Sequence, residues 1–528
     1  MVRVGKSEKT AFVAAFAGGL LAHSYIYTNI IPNFDGISRV FDEQQMTVSG
    51  RWFLHYASCL YGYVQSPMII GVLTMAFLAL AAALVVNLLD IDNVLMAGLW
   101  GILSVLSPAI AYTNSYTFTV AAYGFAVLLA VQAVWLVEKK GWYGLLGGCI
   151  LLALSMGIYQ VYVTTAITLS LYLVLIKTVR SEGGSGAAFV SGLKYVLFLA
   201  TGTGLYWLVL KIFLKVKDLR LLSYLGMNQL EQGYPIKQIG QILKDTYQEV
   251  VKYFFYHSKG SYDGVMIRTT AVILLIACFV IALVKQITQI IKGNQPQKTM
   301  RIIILFCAIL LLPLGANFGK IMSPYSATSP SMKYTYVYLC LLPVTLRGKG
   351  RSPNPVDGIL RKCYLRGFAI AAILLSFQFW QQDNTLYTML DQAHRATLSF
   401  VTNVVGRIES CPGYSMGMPV VIVGGYPADR YNTTIEAYDW VGNETFQASS
   451  VIPLNKHIYY YMNDWINVPI EEPAREVFEE VAGSDYFQQM PRYPDDGSVI
   501  IRDGRVIVKM QDTYTPKAQY EIDYENRR

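Results

Sequence analysis

The chain has 528 residues, 54% hydrophobic and 15% charged, with a mean hydropathy of +0.37; soluble domains carry about 25% charged residues, so a single water-soluble domain is excluded, as is a disordered chain. The net charge of +8 hides a split. Residues 383–528 hold 12 basic and 21 acidic side chains, net −9, and the first 382 hold 31 and 14, net +17. A cationic apolar part followed by an anionic polar one predicts a polytopic membrane domain over 1–382 and a soluble domain over 383–528.

Apolar runs of roughly 17–25 residues mark spanning helices, because a helix satisfies its own backbone groups in lipid. Eleven are predicted, near residues 10–29, 67–89, 94–112, 115–137, 143–159, 161–179, 189–214, 266–291, 301–317, 334–346 and 367–382. The tenth is short, and the pair meeting around residues 112–115 also reads as one re-entrant hairpin. The first run follows a basic start but lacks a small-residue cleavage site, so it reads as an uncleaved span. Lys and Arg collect on cytoplasmic loops. With the N-terminus inside, Lys6, Lys9, Lys139, Lys140, Lys177, Arg180, Lys285, Lys292, Lys298 and Arg301 all fall on that side. An odd number of spans then puts the acidic tail outside. No acid lies well inside a predicted span and no internal repeat stands out.

Two outer loops are long, residues 30–51 and 215–265. The first carries Asp35, Arg39, Asp42, Glu43 and Arg51. A carboxylate at the outer surface suits proton abstraction from a hydroxyl, and neighbouring guanidinium groups suit a phosphate leaving group; a solvated polar loop is the plain alternative. In the second loop Ile236, Ile239, Leu243, Val250, Val251, Phe254 and Phe255 recur at helical spacing. This predicts an amphipathic helix that lies on the membrane or packs on protein.

Polar residues cap the outer span ends: Tyr112, Asn114, Ser115 and Tyr116 at spans three and four, Tyr159, Gln160 and Tyr162 at five and six. Interfacial tyrosines are ordinary. The Gln160 amide needs a partner, either a sugar hydroxyl or a backbone carbonyl. Lys211, Lys215, Lys217 and Arg220, with Lys320 and Lys333, run against the orientation bias. They read as ligands of a lipid phosphate or as side chains snorkelling to headgroups.

In the tail, a helix is predicted through about residue 407, a strand over 419–425, an acidic helix over 471–481, and a hairpin turning at Asp503-Gly504. These elements make a small α/β domain. The VVIVGG run lacks GxGxxG and reads as a plain strand and turn. Asp90-Ile91-Asp92 has the form of a metal- and nucleotide-binding DxD, but sits in a four-residue turn with no nucleotide domain around it. Walker A, HExxH and GxSxG are absent, and the seven cysteines form no CxxC pair. Asn432 and Asn443 head formal glycosylation sequons.

One order of features resembles a known family. An acidic outer loop ending in Gly50-Arg51-Trp52 precedes Ser107-Pro108, Ser115-Tyr116-Thr117-Phe118 and Gly157-Ile158-Tyr159-Gln160. Over residues 10–380 this is similar to the bacterial glucosyltransferase type II family, membrane enzymes that modify O-antigen and related surface glycans. The family commonly has paired acids where this chain has Asp35 after Phe34, and an acid after SYxF where this chain has Thr119.

The resemblance implies a mainly α, GT-C-like fold in the bacterial inner membrane. It implies transfer of a hexose, glucose first, from a polyprenyl-phosphate donor such as undecaprenyl-phosphate glucose to a surface polysaccharide or lipid-linked glycan, lipopolysaccharide O-antigen included. Asp35 would be the general base of an inverting displacement. Arg39, Asp42, Glu43, Arg51, Asn114, Tyr116, Tyr159 and Gln160 would bind substrate, and Lys211, Lys215, Arg220, Lys320 and Lys333 the lipid phosphate. No nucleotide is needed, and a divalent cation is the one cofactor left open. Membrane lipid is a partner and nucleic acid is not. A flippase or transporter of lipid-linked sugars, a polysaccharide polymerase, and a scaffold binding glycan through its tail are the alternatives.

Overall fold

The computed structural model describes residues 5–37, 46–62, 64–180, 184–221, 235–255, 265–293, 297–324, 328–346, 355–431, 451–452 and 455–514. The chain forms two compact units. One is Met1–Thr28, Glu43–Asn114 and Thr119–Asn384; the other is Asn29–Asp42, Ser115–Phe118 and Thr385–Arg528.

The first unit is helical. Eight helices among the described residues are long and apolar enough to cross a bilayer: Pro67–Leu88, Val120–Lys139, Gly141–Ile158, Gln160–Arg180, Ala188–Val216, Met266–Lys292, Lys298–Ala316 and Lys362–Glu409. A ninth is the pair Val94–Val105 and Pro108–Asn114, bent by 43° where Pro108 cannot continue the hydrogen-bond ladder. Eleven runs were expected, and two fall short for local reasons. The first helix, Lys6–Ala22, breaks at His23, whose buried Nε2 lies 2.8 Å from the Val105 carbonyl. The tenth run is a 3-10 helix, Pro330–Leu341, followed by the short helix Leu342–Leu346.

Small residues let the helices approach closely, as lipid gives them no hydrophobic reason to associate. A Cβ added to Gly19 would stand 2.3 Å from Met75 Sδ, one on Gly71 2.3 Å from the Tyr27 ring, and one on Gly101 2.4 Å from the Ala11 carbonyl oxygen. The first and third join Lys6–Ala22 to Pro67–Leu88 and Val94–Val105, and the second joins the short helix Ser24–Thr28 to Pro67–Leu88. The Asp90-Ile91-Asp92 turn holds Asp90 at φ +53 with its carboxylate 2.6 Å from Arg180 Nη1. Asn93 caps the next helix, its side chain accepting from the Met96 N–H at 3.0 Å.

The amphipathic helix Ile239–Phe255 packs one face on protein. Ile242, Thr246 and Val250 are buried, and Asn317 Nδ2 donates to the Thr246 carbonyl and to Glu249 Oε2, each at 3.1 Å. Ile239, Val251 and Phe255 stay exposed.

The second unit holds a three-stranded sheet of order β1-β3-β2, with β1 Val420–Val423, β2 Val499–Arg502 and β3 Arg505–Lys509. The hairpin β2–β3 turns on Asp503 at φ +50 and Gly504 at φ +71, the two left-handed residues that a type I′ turn requires. Strand β1 runs parallel to β3, with all four residues buried. Helices Asn455–Trp465 and Arg475–Ala482 add Ile458, Tyr459 and Phe478 to its core. Ile37, from the loop 30–51, belongs to that same core.

Candidate functional site

Asp35 is the exposed residue of a turn in the second unit. The turn is fixed by the buried Asn33, whose Oδ1 accepts from the Asp35 N–H at 3.1 Å and the Gly36 N–H at 2.8 Å. This side-chain-made turn is the local structure that Asn-x-Asp-Gly favours. A Cβ on Gly36 would lie 3.0 Å from the Phe118 ring, so the Ser115–Phe118 motif packs directly on the turn. The half-buried Tyr116 ring sits edge-on to Phe118 at 6.2 Å. Arg39, Asp42 and Glu43 lie outside the described residues, as do the two sequons.

In the first unit, two motifs far apart in sequence meet. The Phe53 N–H donates to the Gly157 carbonyl at 2.8 Å, and a Cβ on Gly157 would come within 2.7 Å of the Trp52 indole. The Arg51 guanidinium lies 4.8 Å from the centre of the Tyr159 ring, and its Nη1 donates to the Tyr123 hydroxyl at 3.4 Å. Tyr159 stacks on Tyr123 at 5.0 Å and meets Tyr162 edge-on at 5.8 Å. Gln160 Nε2 donates to the Ser49 carbonyl at 2.8 Å and the Tyr206 hydroxyl at 3.0 Å. Tyr206 in turn donates to the Gly50 carbonyl at 3.0 Å. The Gln160 amide thus takes the backbone partner of the two foreseen, and pins the loop that carries Arg51. A guanidinium held over an aromatic ring keeps N–H donors that suit an anion.

Arg51, Tyr159 and Gln160 are therefore one cluster. The other candidates of the first unit stand in other settings. Asn114 is fully buried and accepts from the Tyr27 hydroxyl at 3.0 Å. Lys211, Lys215 and Arg220 are exposed at and beyond the end of helix Gly184–Val216. Lys320 lies 3.7 Å from Glu249 Oε1, and Lys333 is half-buried in the 3-10 helix Pro330–Leu341. No group of three or more His, Cys, Asp or Glu comes together among the described residues.

Sequence reasoning missed Tyr123, Tyr206 and Asp383. The first two look like ordinary span residues until the fold brings them to the motifs. Asp383 directly follows the predicted span 367–382. It sits within Lys362–Glu409 and is wholly buried, with no hydrogen-bond partner for either carboxylate oxygen among the described residues. It lies within electrostatic reach of Tyr27 and of Tyr253, whose hydroxyl is 3.1 Å from Ser107 Oγ. A buried acid at such a place is costly and marks a functional position more often than a structural one.

Fold and motifs together define a polytopic helical membrane protein with an arginine–tyrosine cluster in one unit and an ordered acidic turn in the other. The sequence profile described as Glucosyl transferase GtrII matches residues 24–344, more than half the chain, and the protein belongs to that family. It is thus a glycosyltransferase, with a sugar donor and a glycan acceptor as the general substrates of its class. No curated protein and no solved structure matches it.

Proposed function

We propose that this protein transfers a glucosyl group from a polyprenyl-phosphate donor to a cell-surface glycan on the outer face of the bacterial inner membrane. The N-terminus is cytoplasmic and the tail extracytoplasmic, in a GT-C-like arrangement. Family membership, joined to the exposed carboxylate of Asp35 on an ordered turn, carries this reading.

Asp35 takes the proton of an acceptor hydroxyl as that oxygen attacks the anomeric carbon. The bond from that carbon to the phosphate oxygen breaks, and the lipid phosphate leaves with the electron pair. Attack on the face opposite the leaving group inverts the anomeric configuration. Arg51, oriented by Tyr159 and Tyr123, stabilises the charge growing on the phosphate. The half-buried Tyr116 offers its ring to the sugars, with Arg39, Asp42 and Glu43 on the same outer loop as the base, while the buried Tyr159 and Asn114 support the motifs around them. Lys211, Lys215, Arg220, Lys320 and Lys333 hold the lipid phosphate at the membrane surface.

The buried Asp383 is the feature that a transporter of lipid-linked saccharides would use, but the family places chemistry first. Purified protein in lipid vesicles, given polyprenyl-phosphate glucose and a defined glycan acceptor, should form a glycosidic product of inverted configuration, read by NMR of the anomeric proton. Movement of the lipid-linked sugar across the vesicle membrane with no glycosidic product would support transport instead.

A further inference from the structure

The tail lies wholly beyond the family match, yet the residues around Asp35 fold as part of it. Ile37 is 2% exposed and packs in the core built by β1, β3 and the tail helices. The Trp465 indole N–H donates to the Ile37 carbonyl at 2.7 Å, two residues from Asp35. Trp465 is itself packed by two rings: the His394 ring meets it edge-on at 4.6 Å and the Tyr461 ring stacks on it at 5.8 Å. The Tyr461 hydroxyl lies 2.9 Å from His394 Nδ1. The Asp35 turn is therefore held by Asn33 within it and by Trp465 from the tail.

We propose that Trp465, steadied by His394 and Tyr461, is a positioning residue for the Asp35 carboxylate, so that the soluble unit is an integral part of the transferase and not an appended binding module. This rests on reading Asp35 as the base. A base must sit within hydrogen-bond reach of the proton it takes, and a misplacement of about 1 Å costs as much as a hundredfold in rate. An indole hydrogen bond to the backbone two residues away limits that error.

The test compares purified full-length wild type, Trp465→Phe and Asp35→Asn. Trp465→Phe keeps a ring against His394 and Tyr461 but removes the N–H. Amide exchange over residues 33–37, read by mass spectrometry, should be faster in Trp465→Phe, and kcat should fall about tenfold with donor KM unchanged. The double variant should be no slower than Asp35→Asn alone, because a residue that acts through Asp35 has nothing left to position. Tyr461→Phe, which loses only the hydroxyl beside His394, should shift exchange and kcat in the same direction by less, and serves if Trp465→Phe fails to fold.

Unchanged exchange overturns the proposal, and so does faster exchange with wild-type kcat. Additive losses in the double variant do so as well. Wild-type transfer by Asp35→Asn sinks the reading of the base instead, and the exchange comparison then still reports whether Trp465 holds the turn.

Discussion

Arg51 and lysine are not equivalent at this position. Arg51→Lys keeps the charge but loses the flat group lying 4.8 Å from the Tyr159 ring centre and the directed donors of the guanidinium. kcat should fall by more than donor KM rises, as measured by initial rates at varied donor, because the charge that Arg51 meets develops only in the transition state; unchanged kinetics would remove Arg51 from the site. At His457, burial first and neighbouring Lys456 second push the imidazole down to about 3. Between the ordinary value near 6.5 and that one, the unfolded chain binds more protons than the folded one. The stability this residue contributes is therefore full above about pH 6.5 and falls as the pH drops, by at most about 1.4 kcal/mol per unit. Cys411 is the one thiol after residue 383. Its labelling on heating, read by mass spectrometry, should begin at lower temperature at pH 5 than at pH 7.5, and His457→Leu should narrow that gap. Asp35 was legible as a loop acid because its meaning is local. Asp383 was not, since the polar run from Gln381 to Asn384 ends a hydrophobic stretch and reads as the start of a tail. The helix running on to about residue 407 was legible, but only the fold shows that other chain buries the carboxylate.

Where two helices cross, small residues decide whether they can. In Gly101→Leu the new Cβ would meet the Ala11 carbonyl oxygen at 2.4 Å, a backbone group with no rotamer to give way. Overpacking of this kind costs about 1–3 kcal/mol, so the detergent-solubilised variant should melt lower and yield less. Gly204→Ala faces open space and should match wild type in the same assay. The elements read best from sequence are those with local causes. The β2–β3 hairpin follows from a two-residue turn between alternating apolar runs, and the turn before Val94–Val105 from its polar residues. The parallel pairing of β1 with β3 was not legible, because it joins segments far apart in sequence. Nor was the docking of Gly50-Arg51-Trp52 on Gly157-Ile158-Tyr159-Gln160, although both motifs stood out singly. The short first helix escaped because a hydropathy run does not report a helix break at His23.

At the scale of the molecule, composition separated an apolar cationic part from a polar anionic one, and the structure has a helical unit and a sheet-containing unit. The division differs from the composition border in one instructive way: two short stretches of the membrane part, Asn29–Asp42 and Ser115–Phe118, belong to the tail's unit. Hydropathy reads the first as a loop and the second as the start of the span 115–137, and carries no signal for their tertiary partner, whereas the Trp465 and Phe118 contacts do. The unit with Asp35 thus contains two parts of the family match, and the unit with Arg51 the others. The central claim is that Asp35 is the base, and sugar transfer by purified Asp35→Asn protein in donor-loaded vesicles tests it most directly. General-base catalysis contributes about 10²- to 10⁴-fold. The account predicts a loss of at least about a hundredfold in transfer rate with donor binding retained, and a rate equal to that of wild type would contradict it.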